Sequence, residues 1–233
     1  MNHLGKWSRW CLLLAGCALL ALQTADAAPR YRALLVGVSE YPTLAANKSL
    51  KGPRNDVMRM RQVLQRRGVP ADAIVVLTES GDPSLLPTRA RILRELQLLA
   101  RTARDGDYII IMMAGHGSQA PVPRNSPFHE PDGHFEIFLP RDVGDWNGGR
   151  GDVLNAIKDH EIRALVDEMT AQGAFVWAIF DACHSATLVR GGGVTSRHVS
   201  PADLKIPRSV QLDAERRAAA SHDVHDEPTA PMA

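Results

Sequence analysis

The chain has 233 residues, 45% of them hydrophobic and 23% charged, with a formal net charge of +1. Those values suit one good-sized globular domain with appendages. They provide no charge excess for gripping nucleic acid or an anionic membrane surface, so neither is expected as a partner.

Taken in chain order, the start reads as a targeting segment. Lys6 and Arg9 precede an apolar run over residues 11–22, and Ala25-Asp26-Ala27 offers an A-x-A cleavage site. The run is too short to span a bilayer comfortably, so residues 1–28 read as a secretory signal peptide and the protein is expected to be exported, periplasmic or secreted. A membrane location would need an uncleaved signal or lipidation of Cys17 in Leu14-Ala15-Gly16-Cys17. The apolar run continues past Cys17 to Leu22, which favours cleavage near residue 27 or 28. Cleavage removes Cys11 and Cys17 and leaves Cys183 as the only cysteine. A lone thiol in an oxidising compartment is a liability unless it is buried or used.

Residues 32–38 form a continuous apolar run, which predicts a central parallel strand buried on both faces. Residues 39–52 read as a loop. Pro53 suits a first helical turn, and residues 55–67 carry Val57, Met58, Met60 and Leu64 at helical spacing until Gly68 ends the helix. Residues 74–78 are the second strand. Thr88 is a good N-cap for a helix over residues 89–104, with Ile92, Leu93, Leu96 and Leu99 as its buried stripe. Residues 108–113 are the third strand, followed at once by Ala114-Gly115-His116-Gly117-Ser118. Residues 119–133 predict a long loop, 135–139 a short peripheral strand, and 141–152 a second loop. A helix over 159–172 leads to a buried strand over 175–180 and then to Asp181-Ala182-Cys183-His184-Ser185. Residues 191–233 open with three glycines and carry only scattered apolar side chains. They predict a mostly disordered tail with a short helix over residues 213–221.

Strand and helix alternate four times, which implies a mostly parallel sheet with helices on both faces. The functional crevice of such a sheet lies beyond the carboxyl ends of its strands. His116 and Cys183 both fall there. An imidazole within reach of a thiol makes it a nucleophile. The backbone amides of Gly117 and Cys183 would then form an oxyanion hole. The bland readings are a small apolar cysteine closing a core strand and a loop histidine satisfied by a carbonyl.

His116-Gly117 after one buried strand and Asp181-x-Cys183-His184-Ser185 after the next resemble the metacaspases, caspase-like cysteine peptidases. The resemblance extends to Leu34-Leu35-Val36-Gly37-Val38 with Tyr41, to Leu50-x-Gly52-x-x-Asn55-Asp56, and to Pro87-Thr88-Arg89. It continues through Glu130-Pro131-Asp132-Gly133-x-x-Glu136 and Leu139-Pro140-x-Asp142, and covers about residues 31–190. It implies an α/β caspase-like sandwich over residues 29–190. It also implies an endopeptidase in which Cys183 attacks the scissile carbonyl and His116 manages the protons. Its substrates would be polypeptides with Arg or Lys at P1, bound in an S1 pocket whose acids are Asp56 and Asp181. For Asp56 an ordinary first-turn helix acid is the other reading. The chemistry needs no cofactor, and calcium is implied only through Asp159 in its Ile157-x-Asp159-x-Glu161 segment. His129, His134 and His160 read as surface residues without zinc-site spacing.

The chain departs from the family pattern at Ala114, Pro53 and Ala186, where the family usually has Ser, Cys and Gly. Nothing after Arg190 resembles the family's two further strands, so the C-terminal strands of the sandwich are expected to be missing. That keeps an alternative open: a catalytically weak or inactive caspase-like binding module. If the site prefers basic P1 residues, Arg190, Arg197, Lys205, Arg208, Arg216 and Arg217 are candidate points of self-trimming.

Overall fold

The structure, a computed structural model, describes residues 30–182 and 197–225. Its centre is a four-stranded parallel sheet of β1 (Tyr31–Gly37), β2 (Ile74–Leu77), β3 (Tyr108–Ala114) and β9 (Phe175–Asp181), in the order β2-β1-β3-β9. Helices α1 (Gly52–Arg66), α2 (Arg89–Thr102) and α3 (Asp159–Ala171) precede β2, β3 and β9 respectively. The α/β class and the helices on both faces are as the sequence implies. Side chains alternate across each strand. Leu34, Val36, Ile109, Ile111 and Met113 pack against Ile92, Leu96 and Ala100 of α2 and against Ile162 and Met169 of α3. Ala33, Leu35, Ile110 and Met112 pack on the other face against Val57 and Leu64 of α1. Both faces are apolar, which is why these strands read as unbroken hydrophobic runs. Thr88 caps α2 as expected, accepting from the Arg91 amide at 3.3 Å. The Arg89 amide in turn donates to Asp142 at 2.8 Å, joining two of the family-like segments.

Four expectations are corrected. First, β9 is not a buried strand. It pairs with β3 on one edge only, and Phe175, Trp177 and Phe180 are 62%, 52% and 46% exposed. Among the described residues no strand follows β9 to cover that edge; the one further pairing is an isolated bridge between Gly117 and His198.

Second, the loop expected from residue 119 conceals a strand. β4 (Gly117–Pro121) pairs antiparallel with β5 (His134–Phe138), which also pairs with β8 (Ile157–Lys158) in a small separate sheet. Gly-Ser-Gln-Ala-Pro has weak strand propensity, and only the partner strand recruits it. Third, the loop over residues 141–152 holds the small ladder of β6 (Trp146–Asn147) and β7 (Asp152–Val153).

Fourth, residues 197–225 are ordered and end in helix α4 (Arg208–His225), longer than the short helix expected over residues 213–221. Val199, Leu204, Ile206 and Ala214 are buried. The Trp146 amide donates to the Leu204 carbonyl at 2.8 Å, and Arg217 donates to the Val122 carbonyl at 2.7 Å. Val199, Leu204 and Ile206 join the main core cluster as isolated apolar residues without strand or helix spacing, so no local periodicity announces the docking.

Candidate active site

β3 and β9 pair in register, so Ala114 and Asp181 lie side by side at the carboxyl end of the sheet. His116 follows the first by two positions and Cys183 the second by two positions. Cys183, His184, Ser185, Ala186 and Arg190 lie outside the described residues, as do residues 1–28 with Cys17. Beside this end, Pro53 presses on β1: a side-chain carbon on Gly37 would lie 2.7 Å from the Pro53 carbonyl oxygen. A glycine there brings the start of α1, with Gly52 and Asp56, against the strand ends.

His116 is only 2% exposed. Its amide donates to Tyr41 Oη at 2.7 Å, and the two rings lie 4.8 Å apart. A side-chain carbon on Gly115 would sit 2.8 Å from that Oη, so the close seat needs glycine. His116 Nε2 lies 2.7 Å from the Lys48 carbonyl oxygen. A carbonyl only accepts, so Nε2 carries the proton and Nδ1 of the neutral ring is the basic nitrogen. Nδ1 makes no hydrogen bond with any described residue. Burial lowers the His116 pKa, opposed by the carbonyls of Lys48 and Arg197. The ring is therefore neutral at neutral pH and able to take a proton. Burial also raises the Tyr41 pKa, which keeps it a neutral phenol.

Asp56 and Asp181 meet at one guanidinium. Arg197 Nη2 lies 2.7 Å from Asp56 Oδ2. Its Nη1 is paired with the Asp181 carboxylate and donates to the Asp181 carbonyl at 3.1 Å. α1 begins at Gly52 and has no acid in its first turn, so the first-turn reading of Asp56 does not hold. Gly52 leaves room for the cation: a side-chain carbon there would lie 2.7 Å from Arg197 Nη2. The Gly117 amide donates to the Arg197 carbonyl at 2.9 Å, and the Val199 amide donates back to the Gly117 carbonyl at 3.0 Å. A basic side chain, two carboxylates and the Gly117 amide thus converge within one crevice beside His116.

The remaining candidates lie elsewhere. Asp159 opens α3 and pairs with Arg163 at 3.3 Å. Burial and the charge of Asp159 push the Glu130 carboxyl up, and burial does the same to Glu136. Among the described residues no group of three or more His, Cys, Asp or Glu side chains could hold a metal ion. His129 is exposed and His160 stacks on Phe128 at 4.0 Å. His134 is buried, with Nδ1 2.9 Å from the Asp132 carbonyl oxygen, which corrects its reading as a surface residue. Sequence reasoning named Tyr41, Gly52 and Arg197 without a role in the site, and passed over the Lys48 carbonyl altogether. Gly52 stands four residues before Asp56, one helical turn away, and becomes legible once the helix start is known. A backbone carbonyl 68 residues distant from His116 has no sequence signal.

Comparison with known proteins gives a consistent picture. A family model described as the metacaspase peptidase C14 domain matches residues 31–190. Metacaspase-1 of Mycosarcoma maydis is 32% identical over 157 residues, covering 67% of this chain and 36% of that protein. Metacaspase-1 of Candida albicans is 31% identical over 173 residues, covering 72% and 36%. The chain therefore spans about a third of the length of these relatives. The solved structure of protein GSU0716 from Geobacter sulfurreducens matches with a TM-score of 0.52 at 22% identity, over 88% of this chain and 68% of that one. At that identity it speaks for the fold alone.

Proposed function

Because the chain belongs to the metacaspase family of C14 peptidases, we propose that it is an exported cysteine endopeptidase that cleaves polypeptides after Arg or Lys. The observation that carries the specificity is the convergence of Asp56 and Asp181 on a single guanidinium beside Gly52. Planar charge-assisted pairing suits an arginine, and a lysine ammonium can take the same two acids as a point charge. In this reading Cys183 is the nucleophile, and His116 takes the thiol proton through Nδ1 and later gives it to the leaving amine. The Lys48 carbonyl and Tyr41 orient the ring. The amides of Gly117 and Cys183 stabilise the oxyanion. No step is routed through a metal. Calcium enters only as a modulator acting near Asp159, to be tested in the same assay.

The test is hydrolysis of a fluorogenic peptide with P1 Arg, with and without added calcium. Wild type is expected to turn it over, and Cys183→Ala to lose roughly a thousandfold or more in rate. The absence of Cys183-dependent turnover under both conditions would sink the reading. The edge of β9 that no strand covers among the described residues, with Trp177 and Phe175 exposed, favours a second reading as a caspase-like binding module without catalysis. Alkylation by iodoacetamide separates the two. An activated thiol reacts well below the ordinary thiol range of about pH 8.5, whereas a binding module shows an ordinary, His116-independent profile.

A further inference from the structure

β4 runs from Gly117 in the active-site crevice to Pro121, roughly 14 Å away along an extended strand. At that far end it meets α4 and the β6–β7 ladder, and the three enclose a cleft of about 580 Å³. Val122, Pro123, Trp146 and Val210 give it an apolar floor. No residue assigned above to catalysis or to the basic pocket lines it.

α4 forms one wall. Gln211, Ala214 and Ala218 are its buried side. Val210, Asp213 and Arg217 recur at three- and four-residue spacing, which puts them on one stripe along the cleft, with Arg216 beside them. The charge of this wall is unbalanced. Asp213 is the one carboxylate among the lining residues, and it is shared: Arg217 Nε lies 3.1 Å from one oxygen, and Arg124 pairs with the other. Arg216 is left over. Its Nε donates to the Leu212 carbonyl of its own helix at 3.2 Å, and no carboxylate among the described residues pairs with it. Three guanidinium groups against one carboxylate leave an excess of two positive charges. The whole chain carries only +1, so the excess belongs to this wall and not to the surface at large.

The floor is fixed and has a free donor. Trp146 packs against the main core, and its amide donates to the Leu204 carbonyl at 2.8 Å. Its indole N–H finds no acceptor among the described residues. A side-chain carbon on Gly148, which also lines the cleft, would lie 3.8 Å from Trp146 Nε1, so glycine leaves that nitrogen uncovered at the cleft wall.

We propose that this cleft binds an extended acidic segment of a partner polypeptide. Extended peptides dock in grooves lined by aromatic and proline side chains, with polar groups at the rim setting direction and charge. Here the Trp146 indole donates to a main-chain carbonyl of the ligand. The apolar floor takes its side chains, and a carboxylate pairs with Arg216. A polypeptide fits better than a bare phosphate for two reasons. An apolar floor adds affinity only for a ligand with carbon to bury, and Asp213 in the middle of the wall repels a compact dianion. This inference goes beyond the peptidase reading and does not depend on it.

The experiment uses the full chain and a labelled peptide of about twelve residues alternating Glu and Pro, read by fluorescence anisotropy. The peptide has no Arg or Lys, so the proposed peptidase activity does not consume it. Wild type is expected to bind it, more weakly as salt rises. The counterpart alternating Gln and Pro should bind about tenfold more weakly. Arg216→Glu should weaken binding of the acidic peptide by about tenfold or more. Arg216 is exposed and bonds only to its own helix, so this variant keeps the fold, with circular dichroism as the check. Trp146→Phe keeps a ring on the floor, removes the donor and should cost about fivefold. Equal affinity for the two peptides, or wild-type affinity in Arg216→Glu, would overturn the inference. So would displacement of the peptide by inorganic phosphate at constant ionic strength, which would mark a bare anion site. A wild-type dimer that Arg216→Glu turns into a monomer would assign the cleft to a second copy of the chain and overturn it as well.

Discussion

The two ends of the central sheet carry the same chemistry, carboxylate against arginine, and put it to different use. At the amino end, Asp107 accepts from Arg30 Nε at 2.9 Å and Nη2 at 2.6 Å, from Arg32 at 3.2 Å, and from the Arg104 amide at 3.0 Å. Its side chain is 3% exposed. Tyr31, Tyr108 and Phe175 line up beside it, with successive ring centroids 5.1 Å and 5.6 Å apart. At the carboxyl end, Asp56 and Asp181 hold Arg197. The difference lies in what brings the cation. Tyr31 and Tyr108 are register partners, so pairing β1 with β3 delivers Arg30 and Arg32 to Asp107 automatically. Arg197 is 141 residues from Asp56 and belongs to no strand of the central sheet. The first pair follows from the strand register, whereas the second joins distant segments and, in the proposed function, is the pocket that a substrate's basic side chain would enter.

Mutating the acids separates the two roles. Replacing Asp56 and Asp181 together by Ala is expected to lower kcat/KM for a P1-Arg peptide by a hundredfold or more, on the order of 2 kcal/mol for each charge-assisted contact. Thermal stability should move little. Asp107→Ala should do the reverse, because it strands two arginines near the sheet. The expected loss is about 2 kcal/mol, or several degrees in Tm, with activity per folded molecule unchanged. Equal effects of both changes on Tm would erase the distinction.

Acid separates the ends a second way. His116 is held below its ordinary pKa by burial, so the unfolded chain takes up that proton first. The corresponding stability is present above the ordinary imidazole value of about 6.5 and is lost as pH falls through the lower folded value. The Asp107 carboxyl is also held low: burial opposes this, and the hydrogen bonds and charge of Arg30 outweigh it. Its contribution is present above the ordinary carboxylate value of about 3.9 and disappears only as pH falls below that. The first loss of stability should therefore begin below about pH 6.5, peptidase activity should fall only at the lower pH where the folded His116 ring takes up its proton, and a second loss of stability should follow below about pH 4. Urea melts across pH, with His116→Gln as the control, check this: the variant should lack the first step and keep the second.

The smallest expected effect concerns the docking of the Arg197 segment's helix. Gly133 has φ +77, and a side-chain carbon there would lie 2.5 Å from the Ala214 carbonyl oxygen of α4. Gly133→Ala should cost roughly 1–2 kcal/mol and loosen α4. Limited proteolysis should then cut residues 208–225 faster while the central sheet stays protected. Unchanged proteolysis would mean that α4 is held by other contacts.

The main elements were legible because their signals are local. Residues 33–36 and 109–113 are apolar at every position, and Thr88 before the Ile92–Leu96 stripe is a cap before a helix. The misreadings share one physical cause. β4 is a poor strand by composition and exists because β5 offers it a partner. Val199, Leu204, Ile206 and Ala214 are single apolar residues that become a docking surface only when the folded body presents grooves for them. The exposed flank of β9 was read as core because an apolar run reports the capacity to be buried, not the presence of a cover.

The sequence by itself determined the α/β class and placed His116 and Cys183 just past two strands, both from residue type and spacing along the chain. Asp56 and Asp181 were paired as acids of a basic pocket only through what the family resemblance implies. Only the tertiary structure decided that the Lys48 carbonyl holds His116 Nε2. It alone also showed that Gly52 makes room for a guanidinium and that Arg197 provides one. These contacts join segments up to 141 residues apart, and no local pattern encodes which distant cation will reach a given carboxylate.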